Sequence, residues 1–146
     1  MLKDAWSFDR RWEALVDGDW RKADDCFYDH PEIAAKHGIV TCLDGEPFGF
    51  VTWGPLRDEG IVDIGHNSVR SARKGKGYGK LQLLEAIRRI RGREGARNIV
   101  LTTNSSLVAP INYERAGFRP AGRRVNETEC AFAGHFPDYG PVWDGR

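Results

Sequence analysis

Between Arg73 and Lys80 the chain reads RKGKGYGK, with glycine at positions 75, 77 and 79 and basic residues on either side. Glycine lets a backbone approach a ligand closely and adopt positive φ. The run LQLLEAIRRI follows directly, so the glycines stand where a helix begins. There the N–H groups of the first turn and the positive end of the helix dipole face an anion. Arg70, Arg73, Lys74, Lys76 and Lys80 add mobile positive charge around that point. Such a cradle suits a nucleotide cofactor with several phosphates. A flexible solvated loop and a basic patch for nucleic acid are the competing readings of the same residues. Placement between a strand and an amphipathic helix favours the cradle.

Two familiar phosphate motifs do not fit. The spacing is G-x-G-x-G instead of G-x-G-x-x-G, and no acidic residue ends the following strand, IVLTT, to hold a ribose. A P-loop needs Ser or Thr after Gly79-Lys80, where Leu81 stands, and its first glycine where Lys74 stands.

The elements that must position these residues follow from the pattern on either side. Asp19 and Asp29 are candidate N-caps, Pro31 fits the first turn of a helix, and Gly38 is its expected stop. IVTCLD and FGFVTWG, joined through Asp44-Gly45-Glu46-Pro47, read as a β-hairpin. GIVDIGHNSVR is a third strand. A helix from about Tyr78 to Arg91 carries Leu81, Leu84, Ile87 and Ile90 at helical spacing, with Leu83 widening the stripe. ARNIVLTT is a short strand, and a short helix follows with Pro110 in its first turn and Gly117 as its stop. One or two strands and a proline- and glycine-rich tail, GHFPDYGPVW, complete the chain; the tail could cover the site or a sheet edge. This order predicts an α/β or α+β domain around a mixed sheet, with a right-handed βαβ crossover.

Composition bounds the rest. A chain of 146 residues, 40% hydrophobic and 29% charged, fits one globular domain spanning 1–146. The net charge of +1 speaks against a dedicated nucleic-acid binder. Cys26, Cys42 and Cys130 are odd in number and far apart, matching neither a disulfide framework nor a Cys-x-x-Cys metal site. No apolar run approaches the roughly 20 residues that span a bilayer, and the N-terminus lacks the apolar stretch of a signal peptide. A cytoplasmic protein is the expectation.

The stretch V-R-S-A-R-K-G-K-G-Y-G-K, followed by L-x-L-L-E-A-I, resembles the acetyl-CoA signature of the GNAT superfamily of N-acetyltransferases, whose core is (Q/R)-x-x-G-x-(G/A). Lys74 stands in place of the usual Gln or Arg, with Arg73 beside it. A-x-x-x-Y-x-x-x-G-F, through Ala109, Tyr113, Gly117 and Phe118, resembles the family's second motif. The motif's usual Asn, three before the alanine, is Ser106 here, and Asn104 is the possible substitute. No segment of the N-terminal third reads as the family's usual first strand. The likeness covers about residues 39–124.

This resemblance implies a mixed, mostly antiparallel sheet flanked by helices, with a splay between the central parallel strands. It implies acetyl transfer from acetyl-CoA to an amine, with no metal. The pyrophosphate would lie on the main chain from Lys74 through Gly75, Lys76, Gly77, Tyr78 and Gly79 to Lys80. The pantetheine arm would pair with the third strand around Asn67, Ser68 and Val69, with Arg70 beyond. Tyr113 falls on the family's usual general acid, its alternative role being packing on its helix.

For the base, Asp63 lies at the position some members use, and Asp63, Gly65, Asn67 and Val69 share one face of the strand. His66 has the better intrinsic pKa but points the other way, and a water chain could replace both. Asp63 could instead be a structural carboxylate pairing with a nearby Arg. Negative and aromatic residues (Trp20, Asp24, Asp25, Phe27, Tyr28, Asp29, Glu32) stand where the family places substrate contacts and would favour a cationic amine. Equally they could form a solvated helix face. The implied partners are acetyl-CoA and the amine, without nucleic acid or membrane; a homodimer is possible. The alternative to an enzyme is a non-catalytic acyl-CoA-binding module.

Overall fold

A computed structural model of the protein describes residues 1–5, 7, 29–104, 109–124 and 129–135, with the backbone alone at 2, 104, 121–124 and 129–135. They fall into two compact units, Met1–Thr52 with His66–Gln82, and Trp53–Gly65 with Leu83–Arg146.

The first unit opens on a single helical turn, α1 (Leu2–Ala5), and continues with α2 (Pro31–His37). Pro31 sits in the first turn of α2 as expected, but the N-cap is His30 instead of Asp29, without a side-chain capping bond. The Ile33 and Ala34 amides instead donate to the His30 carbonyl. Gly38 does end α2, yet with φ −156°, because it is already the first residue of β1 (Gly38–Leu43). The turn to β2 (Glu46–Trp53) needs two residues, not four: Asp44 and Gly45 take φ 52° and 83°, the paired positive values of a tight hairpin. Glu46 and Pro47 therefore belong to β2. Along the hairpin Thr41 faces Gly49 while Cys42 faces Pro47, so Phe48 is the extra residue of a bulge.

β3 (Ile61–Val69) runs through both units and leads, through a short 3-10 turn at Ser71–Arg73, into α3 (Tyr78–Arg91). Both ends of α3 fall where the sequence places them. Its inward stripe holds at Leu83, Ile87 and Ile90, with Leu84 half-buried, and fails at Leu81. Leu81 is 61% exposed, and the buried residues are Leu83, Ala86, Ile87 and Ile90, with the polar Gln82 ahead of them. Burial of each of these large aliphatic side chains stabilises the fold by roughly 1.5–3 kcal/mol. On the outer face, Glu85 draws Arg88 and Arg89 to within 2.7 and 2.8 Å.

In the second unit β3 pairs in parallel with β4 (Asn98–Asn104), from Ile61↔Asn98 to Ile64↔Leu101. That ladder stops short of both strand ends. Val62, Ile64, Ile99 and Leu101 are buried, the alternation of strands with one face inward. After α4 (Ala109–Arg115) come β5 (Arg119–Arg124) and β6 (Glu129–His135). β6 runs antiparallel to β4 from Asn98↔His135 to Asn104↔Glu129, and β5 pairs with β6. The strand order is β1-β2-β3-β4-β6-β5, a mixed sheet of the expected kind. No helix among the described residues is long and apolar enough to cross a membrane.

Candidate functional site

The glycine stretch has the conformation of a cradle. Gly75 and Gly77 take φ 75° and 82°, values that L side chains rarely adopt. A Cβ at either position would meet nothing within 4 Å, so their need for glycine is conformational. The Gly77 carbonyl receives the amides of Lys80 and Leu81 at 3.1 and 3.2 Å, which starts α3 at Tyr78. The first-turn N–H groups, Tyr78 and Gly79 among them, have no partner inside a helix by its geometry. They belong to a 14-residue helix, long enough for a full dipole.

Not every basic residue around the cradle is mobile. The Arg73 guanidinium lies 5.9 Å from the Phe48 ring centroid, and Tyr78 packs on the same ring at 4.5 Å. Phe48 is the bulge residue, which accounts for its reaching both. Lys74 donates to the Ala5 carbonyl, and its partial burial lowers its pKa against the opposing pull of Asp4. Asp4 also accepts the Ser71 amide through Oδ2 at 2.7 Å, while its carbonyl accepts the Ser71 hydroxyl at 2.7 Å. The N-terminal turn thus pins the entry of the loop. Sequence reading missed this tie, and residues 67 positions apart carry no local signal for it. Arg70, Lys76 and Lys80 are exposed, and the Arg70 amide donates to the Phe48 carbonyl at 2.8 Å.

At the end of β3, Ser68 and Val69 are buried, and Asn67 Nδ2 donates to the Gly79 carbonyl at 2.9 Å. The segment expected to face the pantetheine arm is thereby joined to the start of α3. The His66 amide donates to Thr52 Oγ1 at 3.2 Å, and its ring meets Phe50 edge-on at 6.4 Å.

In the second unit, Asp63 faces Arg57: Oδ2 lies 3.1 Å from Nε, and Oδ1 accepts from a terminal nitrogen at 3.4 Å. Both side chains are about half exposed. This is the arginine pairing that the sequence left open as the other role for Asp63. Tyr113, on α4, is 8% exposed. Gly117, with φ 97°, turns the chain so that Phe118 packs back on Tyr113, with ring centroids 6.1 Å apart and the Phe118 amide bonded to the Tyr113 carbonyl. The A-x-x-x-Y-x-x-x-G-F spacing is thus a two-turn helix and its closure.

Burial pushes the Tyr113 phenol above its ordinary pKa of 10.0, and a hydrogen bond with the Thr103 hydroxyl opposes that shift. The phenol is therefore protonated throughout the neutral range. Sequence reading missed Thr103. Its signal was parity, since Ile99 and Leu101, both buried, share its side of β4. Asn104 ends β4 opposite Glu129. Ser106, Trp20, Asp24, Asp25, Phe27, Tyr28 and the tail beyond His135 lie outside the described residues, while Asp29 and Glu32 are exposed.

The sequence pattern of the Acetyltransferase (GNAT) family matches residues 2–118. The chain belongs to that family. The match reaches into the N-terminal third, where no segment reads as the family's usual first strand. Among curated proteins no sequence match is found.

Solved GNAT-type structures show the same fold. The PaiA N-acetyltransferase of Thermoplasma acidophilum, in complex with coenzyme A, superposes with a TM-score of 0.73 at 12% identity, over 92% of this chain and 87% of that one. A ribosomal-protein-alanine N-acetyltransferase of Brucella melitensis gives 0.60 at 17% identity, over 82% and 78%. An IAA acetyltransferase of Bacillus cereus gives 0.58 at 19%, over 77% and 86%. As a GNAT family member, the protein is an acetyl-CoA-dependent acyltransferase. Among the described residues no group of His, Cys, Asp and Glu could hold a metal ion.

Proposed function

We propose that the protein transfers an acetyl group from acetyl-CoA directly to a primary amine of a small molecule or peptide, the whole chain 1–146 acting as one catalytic domain in the cytoplasm. The observation that carries this reading is the burial of Tyr113 on the family's second motif. In the transfer, the amine nitrogen attacks the thioester carbonyl, a C–N bond forms, and the C–S bond breaks. The leaving thiolate needs a proton, which Tyr113 gives; its phenolate then recovers one from solvent. The amine must be neutral to attack. Its proton leaves through water toward Asp63, whose own carboxylate stays beside Arg57.

Main-chain amides of the Gly75–Lys80 turn hold the pyrophosphate, and Asn67–Val69 receive the pantetheine arm. Asn104 takes the place of the missing motif asparagine. Asp29, Glu32 and the acidic residues before them support a cationic acceptor such as a polyamine, an aminoglycoside or a lysine-containing peptide.

Asp63→Asn should lower turnover roughly fivefold at neutral pH and recover toward the parent rate as rising pH supplies neutral amine. That loss is below the range of a direct general base, about 10²–10⁴-fold, because water intervenes. A pH–rate profile superimposable on the parent's takes Asp63 out of the mechanism. The reading as a whole is tested by following thiol release from acetyl-CoA across a panel of diverse amines. Cationic amines should accelerate release above the hydrolytic background. CoA binding with no acceleration by any amine would leave an acyl-CoA-binding module instead.

A further inference from the structure

Gln82 is 3% exposed, deeper than a glutamine ordinarily lies. Its Nε2 donates to Asn67 Oδ1 at 2.8 Å on β3, and reaches the Ser68 carbonyl on β3 and the Phe50 carbonyl on β2, each at 3.2 Å. Asn67 Nδ2 in turn donates to the Gly79 carbonyl in the first turn of α3 at 2.9 Å. The Gln82 amide nitrogen and the Asn67 carboxamide thus join α3 to β2 and β3. Oε1 of Gln82 is buried with no hydrogen-bond partner among the described residues. It lies against Gly49, where a Cβ would come within 2.0 Å of it and 3.1 Å of the Ser68 carbonyl oxygen. Gly49 has no positive φ, so its lack of a side chain serves to admit the glutamine.

We infer that Gln82 is a positioning residue for acetyl-CoA, fixing the pantetheine-facing end of β3 relative to the pyrophosphate-facing turn of α3. The inference rests on the proposed placement of the donor along Asn67–Val69 and Gly75–Lys80. The two ends of one cofactor bind together more tightly than the separated pieces only when the protein holds both subsites at the cofactor's own spacing. Gln82 sets that spacing through three acceptors on two strands. A hydrogen-bonded carboxamide pair in a buried setting holds geometry more firmly than apolar packing, because each bond has a direction. The glutamine touches no reacting atom; it acts through Asn67, Ser68 and Gly79.

The test compares intact CoA with its fragments, adenosine 3′,5′-bisphosphate and pantetheine, by calorimetric titration of the full chain. Gln82→Met, near in volume but without the amide, should weaken CoA about tenfold and each fragment less than twofold. Gly49→Ala should do the same independently by evicting the glutamine, and it serves where Gln82→Met folds poorly. The double variant Gly49→Ala/Gln82→Met should weaken CoA by less than the two single losses combined. Equal weakening of CoA and fragments, or no change in CoA affinity with either variant, overturns the inference. Gly77→Val is run alongside. If it leaves adenosine 3′,5′-bisphosphate affinity unchanged, the placement of the donor has failed; if it weakens that fragment while both Gln82 and Gly49 variants bind CoA normally, only the positioning role has.

Discussion

Replacing Tyr113 by Phe lowers turnover at least tenfold and leaves CoA affinity within twofold of the parent. The substitution removes one oxygen from a side chain that is 8% exposed. The ring, its edge-on contact with Phe118 and the helix all remain. What is lost is the hydrogen bond with Thr103 and, in the proposed mechanism, the proton for the departing thiolate. General acids typically contribute 10²–10⁴-fold, and water entering beside the phenylalanine recovers part of that. The Thr103 hydroxyl left behind costs stability on the order of 1 kcal/mol, which a melting curve separates from the kinetic effect.

Because burial raises the phenol's pKa, the folded protein binds its proton more tightly than the unfolded chain does. The folded state is therefore favoured in full below pH 10, and that advantage is lost as pH rises from there through the folded-state pKa. Absorbance titration should show the Tyr113 phenol ionising above the ordinary value, a step that Tyr113→Phe removes. Unaltered turnover in Tyr113→Phe takes the residue out of the chemistry.

Gly77→Val should weaken CoA binding about tenfold. At φ 82° a β-branched side chain costs roughly 1–3 kcal/mol, and 1.4 kcal/mol is a factor of ten in affinity. The loop either bears that strain or moves its amides off the phosphates. Since a Cβ at this position meets nothing within 4 Å, steric damage to the core does not confuse the result. Lys76→Ala and Lys80→Ala are the contrast. These exposed charges act through solvent, and each should change affinity only two- to threefold, less at high salt. If the lysine variants weaken CoA more than Gly77→Val does, side-chain charge and not the main chain holds the phosphates.

Local rules carried far along this chain because its punctuation is strong. Glycines on both sides of Tyr78–Arg91 set that helix at both ends, and Asp44-Gly45 set the hairpin. Ala109, Tyr113, Gly117 and Phe118 marked a helix and its closure. What escaped was nonlocal. Leu81 fits the helical stripe as well as Leu83 does, yet the inward place beside them goes to Gln82, because acceptors on β2 and β3 wait for it. Thr103 matters through a tyrosine on the following helix, and Ser71 through Asp4 at the other end of the first unit. The pairing of β5 with β6, with β6 beside β4, is likewise fixed by register across strands and not by spacing along them. Asp63 shows the limit from the other side: parity put it on a defined face of β3, but only the fold set Arg57 against it.

The proposed reaction passes an acetyl group from acetyl-CoA to an amine nitrogen. Mass balance tests it most directly, by quantifying free CoA and N-acetylated product in one reaction with the amine that most accelerates thiol release. The account predicts one N-acetyl product for each thiol freed, with no acetyl group left on the protein. Thiol release without N-acetyl product, or a stable acetyl-protein adduct carrying the missing acetyl, would contradict it.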